Sequence, residues 1–310
     1  MNTYDTIIIG GGPAGLSAGI YAMRSKLNTV LVEKFAPGGQ MMVTDFVENY
    51  PGFPLGIGGP DLSAEMEKQA RGLGLEILST EVISADFSKE EKIVVTPEGE
   101  MKAATVILAV GATPRTLGVP GEQKFLGRGV STCATCDGAF FREKEIAVVG
   151  GGNTAIQDAI FLTRFASKVT IIHRRNELRA TKILQDRALK NPKISFALSS
   201  IVVDIEGDVK VERIVIENTQ DGTRKTLPVD GVFMLIGTVP NTEYFRGMID
   251  LDPIGYIITD DSMRTNVPGV FAAGDCRQKI LRQMVTAASD GAIAAIAAEQ
   301  YIECLKDGIS

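Results

Sequence analysis

Thr6-Ile7-Ile8-Ile9-Gly10-Gly11-Gly12-Pro13-Ala14-Gly15 is the stretch on which the fold of this chain turns. Four apolar or β-branched residues read as a buried parallel strand. The strand runs into a glycine cluster, and small residues compatible with a helix follow to about Ser25. A second strand, Thr29-Val30-Leu31-Val32, ends at Glu33 and Lys34, with Glu33 lying 23 residues beyond Gly10. Strand, glycine turn, helix, strand and acid in that order form a dinucleotide-binding fingerprint. Gly10 permits the tight turn, Gly12 lets a pyrophosphate approach the backbone, and Gly15 lets helix and strand pack closely. Pro13 and Ala14 open the helix, whose free N–H groups and positive dipole end suit phosphate. Gly10, Gly12, Pro13, Ala14 and Gly15 are thus expected to hold a cofactor, with Glu33 accepting from ribose hydroxyls and Lys34 beside it. Residues 6–23 carry no charge, but their five glycines and Pro13 argue for a phosphate-binding turn and against a membrane span.

The unit recurs about 140 residues later. Glu145–Val149 reads as a strand, Gly150-Gly151-Gly152-Asn153-Thr154-Ala155 as the turn, and a helix is expected through about Phe165. The following strand, Val169–Ile172, ends in His173-Arg174-Arg175, with Arg179 four residues on. Where an acid would accept from a 2′-hydroxyl, planar guanidinium forks match a 2′-phosphate. Gly150, Gly152, Asn153, Thr154, His173, Arg174, Arg175 and Arg179 are expected to bind NADPH. His173, the one histidine of the chain, reads as a residue orienting that loop or touching phosphate, without a proton-transfer role.

Two further glycine-ended strands flank this second unit: Thr105–Ala112, containing Gly111, and Gly269–Asp275. A strand delivering Gly274-Asp275 can aim a carboxylate at sugar or ribityl hydroxyls. The expected fold is α/β, with two Rossmann-like dinucleotide-binding domains, the second inserted into the first. Residues 1–113 and 243–310 form the outer domain and 114–242 the inserted one, joined near Thr113-Pro114 and Thr238-Val239-Pro240-Asn241. The inserted part carries 18 basic and 14 acidic residues, the remainder 14 and 24. A net of −6 over 310 residues argues against a protein that coats nucleic acid. A single histidine excludes a multi-histidine metal site, and the 33 glycines point to many tight turns. Four sparse cysteines and the lack of an evident targeting segment suggest the cytoplasm.

Cys133-Ala134-Thr135-Cys136 is followed by Asp137. A redox dithiol, half a zinc site, a structural disulfide and two inert thiols are the possible readings. Zinc wants about four ligands, and Cys276 and Cys304 are isolated. A disulfide closing so short a loop removes little chain entropy. A CxxC at a helix start can instead lower a thiol pKa and exchange with another disulfide, with Asp137 as the proton donor or acceptor. A bound flavin can take a hydride and pass two electrons to such a disulfide. Because dithiol and nicotinamide site share the inserted domain, that domain is expected to turn on its two linkers between half-reactions.

Together, Gly10-to-Gly15 with Glu33, Cys133-Ala134-Thr135-Cys136-Asp137, Gly150-to-Ala155, His173-Arg174-Arg175 with Arg179, and Gly274-Asp275 before Arg282-Gln283 resemble the bacterial low-molecular-weight thioredoxin reductases, over the whole length. The resemblance implies FAD in the outer domain, NADPH in the inserted one, a homodimer, and reduction of the CxxC disulfide of thioredoxin. It implies that Cys136 faces the flavin, that Cys133 attacks the partner and that Asp137 is the acid. It places Gly38-Gly39-Gln40 and Asn49 around the flavin, and Arg282-Gln283 at the start of the helix under it; Gly111 and Asp275, at the ends of the two glycine-ended strands, are expected to bind the same cofactor. Leu281 replaces a frequent tyrosine, Asn153-Thr154 an acid and serine, and Cys276-Arg277-Gln278-Lys279 is more polar than the family's usual turn. The alternatives are a ferredoxin-linked flavin thioredoxin reductase, which would not need the second fingerprint, a reductase of another small dithiol protein, and a flavoprotein redox sensor.

Overall fold

The computed structural model describes residues 2–44 and 46–308. It divides into two compact units, Met1–Thr113 with Val239–Ser310, and Pro114–Thr238. The return crossing lies at 238/239, four residues before the expected 242/243. The reason is hydrogen bonding: Asn241 donates from its backbone N to Gly111 O (3.0 Å) and from Nδ2 to Val110 O (2.9 Å), and Thr242 Oγ1 donates to Gly255 O. These residues are thereby held in the outer unit.

The outer unit is built on a seven-stranded sheet. Asn2–Ile9 runs parallel to Thr29–Glu33 on one side and to Gly99–Leu108 on the other, and Val270–Ala272 joins Gly99–Leu108 in parallel. Successive side chains on a strand point to opposite faces. The register aligns Ile8 with Leu31 and Ile107, and Ile107 with Phe271, so these residues share one face. That face packs on the helices Pro13–Arg24, Gly59–Gly72 and Met284–Lys306 through Leu16, Ala18, Leu62, Ala294 and Ala298. Ile7, Ile9, Val30 and Val32 face the other way, against Phe245, Ile249, Ile257 and Cys276. Both faces are covered, which is why Ile7-Ile8-Ile9 is uniformly apolar.

Small residues let helices Pro13–Arg24 and Met284–Lys306 approach each other closely. A Cβ on Gly291 would overlap the carbonyl oxygen of Ala14. Gly291→Ala should therefore destabilise the outer unit by about 1–3 kcal/mol by overpacking, although alanine is the better helix former by about 1 kcal/mol. Gly72, where a Cβ would meet nothing within 4 Å, is the control. Denaturant midpoints of the two alanine variants check the prediction, and equal midpoints would refute it.

The second unit holds a five-stranded parallel sheet in the order Ile194–Ala197, Lys168–Ile172, Glu145–Val149, Gly231–Met234, Val130–Ser131. A three-stranded antiparallel sheet, Ser200–Glu206, Arg213–Asn218 and Arg224–Pro228, accompanies it. The helix after the glycine turn spans Asn153–Leu162, three residues shorter than expected. Among the described residues no helix is long and apolar enough to cross a membrane.

Candidate active site

The two glycine turns are built alike. In the first, Gly10 has φ +106°, and a Cβ there would lie 2.5 Å from Ala109 O. A Cβ on Gly15 would overlap Gly10 O. Gly12, extended at φ −71°, is the N-cap of the helix that Pro13 and Ala14 open, and a Cβ there would meet nothing within 4 Å. The turn and the helix start are thus fixed by contacts that only glycine allows, while the face at Gly12 can receive another group. In the second turn Gly150 sits at φ +150° against Leu235 O and Ala155 Cβ, and Gly152 is again an extended N-cap with nothing within 4 Å. Both turns therefore fit a pyrophosphate at a helix N-terminus.

Around the first turn the chain assembles residues from distant segments. Gly38 N donates to Gly11 O (2.8 Å), and a Cβ on Gly39 would lie 3.3 Å from Gly12 Cα, so Gly38-Gly39-Gln40 folds over the turn. Glu33 stands beneath it, Oε2 accepting from Gly11 N at 2.6 Å and Oε1 from Phe35 N at 3.0 Å. A carboxylate oxygen has a second lone pair, so Glu33 retains capacity for a ribose hydroxyl. Lys34 is instead paired with Glu81 on the surface. Asn49 Nδ2 donates to Gln283 Oε1 (3.0 Å), joining segments 234 residues apart. Gln283 begins helix Met284–Lys306 and donates from its N to Thr286 Oγ1. Gly111, at φ +65°, accepts from Asn241 N.

Asp275 carries the strongest sign of a ligand. Its Oδ1 is buried and has no partner among the described residues, as is true of Arg282 Nε. Burial pushes the Asp275 carboxyl pKa up, against the pull of Lys279 and Arg282. A buried acceptor without a donor costs free energy, and a sugar-alcohol hydroxyl would satisfy it. Arg282 lies over the Tyr256 ring, 3.9 Å from its centroid. The outer unit therefore fits a flavin dinucleotide: a glycine turn for pyrophosphate, an acid for ribose and an orphaned carboxylate for the ribityl chain. Sequence reasoning missed Tyr256, Lys279 and Asp290. The one signal was an aspartate inside the small-residue run Ala287-Ala288-Ser289-Asp290-Gly291-Ala292.

In the second unit His173 packs its ring on Gly151, where a Cβ would overlap it. The ring is 6% exposed, and its Nε2 has no partner among the described residues. Desolvation, then Arg179, Arg175 and Arg174, hold its pKa below the usual histidine value, so the ring is neutral. Asn153 Oδ1 accepts from Thr181 N (2.8 Å), and Arg179 N donates to Gly151 O (2.7 Å), tying the loop after His173 to the turn. Arg174, Arg175 and Arg179 are exposed and make no ion pair within the described residues. Such an unneutralised cluster fits a phosphate. Thr154, the second residue of the helix Asn153–Leu162, is exposed.

Cys133 and Cys136 form a disulfide, their Cα atoms 5.3 Å apart. Cys133 is the N-cap of the short helix Ala134–Asp137, and Cys136 N donates to its Sγ at 3.2 Å. Cys133 N in turn donates to Ser131 Oγ (3.1 Å), and Asp137 N to Cys133 O (3.2 Å). Both cysteines and Asp137 are partly exposed. Cys276 is fully buried with its thiol pushed up to about 11, and Cys304 stands alone on the surface.

Two glycine turns that fit a pyrophosphate, each following a strand paired in parallel, and an accessible disulfide at a helix start match the make-up of a nucleotide-dependent disulfide oxidoreductase. The family model for pyridine nucleotide-disulphide oxidoreductases matches residues 4–291, and the chain belongs to that family. Its similar relatives are thioredoxin reductases. Those of Peptoclostridium acidaminophilum and Listeria innocua are each 49% identical, the matches covering 97% and 99% of this chain and 98% and 96% of theirs. The crystal structure of thioredoxin reductase from Streptococcus pyogenes superposes with a TM-score of 0.93 at 48% identity, covering 97% of this chain and 98% of that one. Membership implies a flavin and a pyridine nucleotide.

Proposed function

We propose that this chain is an NADPH-dependent thioredoxin-disulfide reductase with FAD in the outer unit. The observation that carries the reading is the Cys133–Cys136 disulfide at a helix N-terminus, in a unit whose own glycine turn is followed by three arginines that make no ion pair within the described residues. A bound flavin supplies the two-electron carrier between a hydride donor and a disulfide. Gly10, Gly12, Pro13, Ala14 and Gly15 hold its pyrophosphate, Glu33 its ribose and Asp275 its ribityl hydroxyls. Gly39, Gln40, Asn49, Gly111, Arg282 and Gln283 border it. Gly150, Gly152, Asn153 and Thr154 hold the pyrophosphate of NADPH, and Arg174, Arg175 and Arg179 its 2′-phosphate. His173, kept neutral and packed on Gly151, shapes that loop.

Two electrons and two protons open the Cys133–Cys136 bond to two thiols. The Cys136 amide and the helix N-terminus favour the thiolate of Cys133. Cys133 attacks the thioredoxin disulfide, forming a mixed disulfide and displacing one partner thiolate. Cys136 then attacks Cys133 Sγ, restoring the internal bond and releasing the second partner thiolate. Asp137, next to Cys136, gives and takes the protons these steps need. The reading includes a homodimer working in the reducing cytoplasm, and rotation of the inserted unit on its linkers between half-reactions.

The test is anaerobic mixing of the purified yellow protein with NADPH or NADH, followed by oxidised thioredoxin. NADPH should bleach the flavin rapidly and thioredoxin should restore its colour. No bleaching by either nucleotide would sink the reading. Bleaching without recovery would move the partner to another small dithiol protein.

A further inference from the structure

A cluster of buried charge lies behind the Gly274–Asp275 turn. Asp290, 7% exposed on helix Met284–Lys306, accepts with one oxygen from Gly274 N (3.0 Å) and from Lys279 Nζ (2.7 Å). Arg277 Nε lies 3.6 Å from the same oxygen. The side chain of Lys279 is only 8% exposed. Burying an ammonium and a carboxylate costs several kcal/mol before their attraction is counted. Capping Gly274 N needs no such pair, because a neutral amide oxygen would serve. The ion pair joins the two ends of the segment that presents Asp275, whose Oδ1 is the orphaned acceptor.

We propose that Lys279, bridged to Asp290, is a positioning residue that holds the Gly274–Asp275 turn so that Asp275 Oδ1 accepts a hydroxyl of the flavin's sugar-alcohol chain. The proposal rests on the reading that the outer unit holds a flavin. Lys279 acts on Asp275 in a second way. Burial and Asp290 raise the Asp275 pKa, while Lys279 and Arg282 lower it. With Arg277, 3.6 Å from the same Asp290 oxygen, these are the charged groups of the cluster. Lys279 thus favours the ionised, accepting form of Asp275. Acidification removes that form, so flavin release should quicken as pH falls, and loss of Lys279 should move the onset to higher pH.

The experiment uses full-length holoprotein as wild type, Lys279→Met, Lys279→Arg and Asp290→Asn. FAD release after dilution is followed by flavin fluorescence from pH 5 to 9. Lys279→Met should release FAD about tenfold faster at neutral pH, as expected for one charge-assisted bond, with the onset of rapid release raised by about one pH unit. Lys279→Arg should stay near wild type. Asp290→Asn keeps an acceptor for Gly274 N but removes the charge that holds Lys279, so its release of FAD at neutral pH should also quicken, by less than that of Lys279→Met. A Lys279→Met profile that overlays wild type overturns the proposal. If Lys279→Met does not fold, Asp290→Asn decides, and neutral-pH release equal to wild type overturns it. Wild-type protein that carries no FAD would instead overturn the flavin reading itself.

Discussion

Replacing Cys136 with serine should reduce thioredoxin turnover to background, a loss of at least about a thousandfold, while NADPH still bleaches the flavin. Serine cannot form the disulfide that takes up two electrons, so the path stops there. The glycine turns and arginine cluster are untouched by the change, so hydride entry is preserved. Cys133→Ser should give the same split, because the attacking thiolate is gone. No other thiol can substitute. Cys276 is fully buried and its thiol is pushed up to about 11, leaving almost no thiolate at neutral pH. Cys304 is exposed but has no neighbouring cysteine with which to close a disulfide. Stopped-flow bleaching and a thioredoxin-coupled assay on the same preparations separate the half-reactions. Thioredoxin turnover persisting in either variant would mean that electrons leave by another group.

Arg174→Ala combined with Arg175→Ala should cost NADPH about 10²–10⁴-fold in kcat/KM and change NADH by less than about threefold. Each guanidinium–phosphate contact is worth about 1.5–3 kcal/mol, and NADH lacks the phosphate. Neither arginine makes an ion pair within the described residues, so their loss leaves no buried charge unpaired and does not threaten the fold. Unchanged thermal melting of the double variant would confirm that only binding was altered. A comparable loss for both nucleotides would remove the arginines from 2′-phosphate recognition. His173 provides a contrast: its ring packs on Gly151, so His173→Ala should impair both nucleotides by loosening the turn.

Much of the outer unit was legible because its signals are local. Thr6–Ile9, the glycine turn and Thr29–Glu33 stand next to one another in sequence, and each demands a particular backbone. The repeat at Glu145–Ile172 is legible for the same reason. The return crossing was misplaced by four residues because Asn241 and Thr242 are assigned to the outer unit by hydrogen bonds to Val110, Gly111 and Gly255, which a linear reading does not contain. Lys34 was placed near the cofactor by adjacency to Glu33, yet its side chain turns to Glu81. Lys34 lies one residue past the end of the strand Thr29–Glu33, in a bend, so the strand does not aim its side chain at the glycine turn.

The sequence by itself determined the two glycine turns and the CxxC pair, since each is written in residues a few positions apart, and the two glycine-ended strands that flank the second turn marked the insertion of one α/β domain into another. Only the tertiary structure decided which distant side chains meet around the glycine turn of the outer unit. Asn49 meets Gln283, Gly38 meets Gly11, and Asp290 meets Lys279 and Gly274. Burial is likewise a property of the packed whole. It leaves Asp275 Oδ1 without a partner among the described residues and gives Lys279, Asp275 and Asp290, the last unremarked in the sequence, a dry environment in which their charges act strongly on one another.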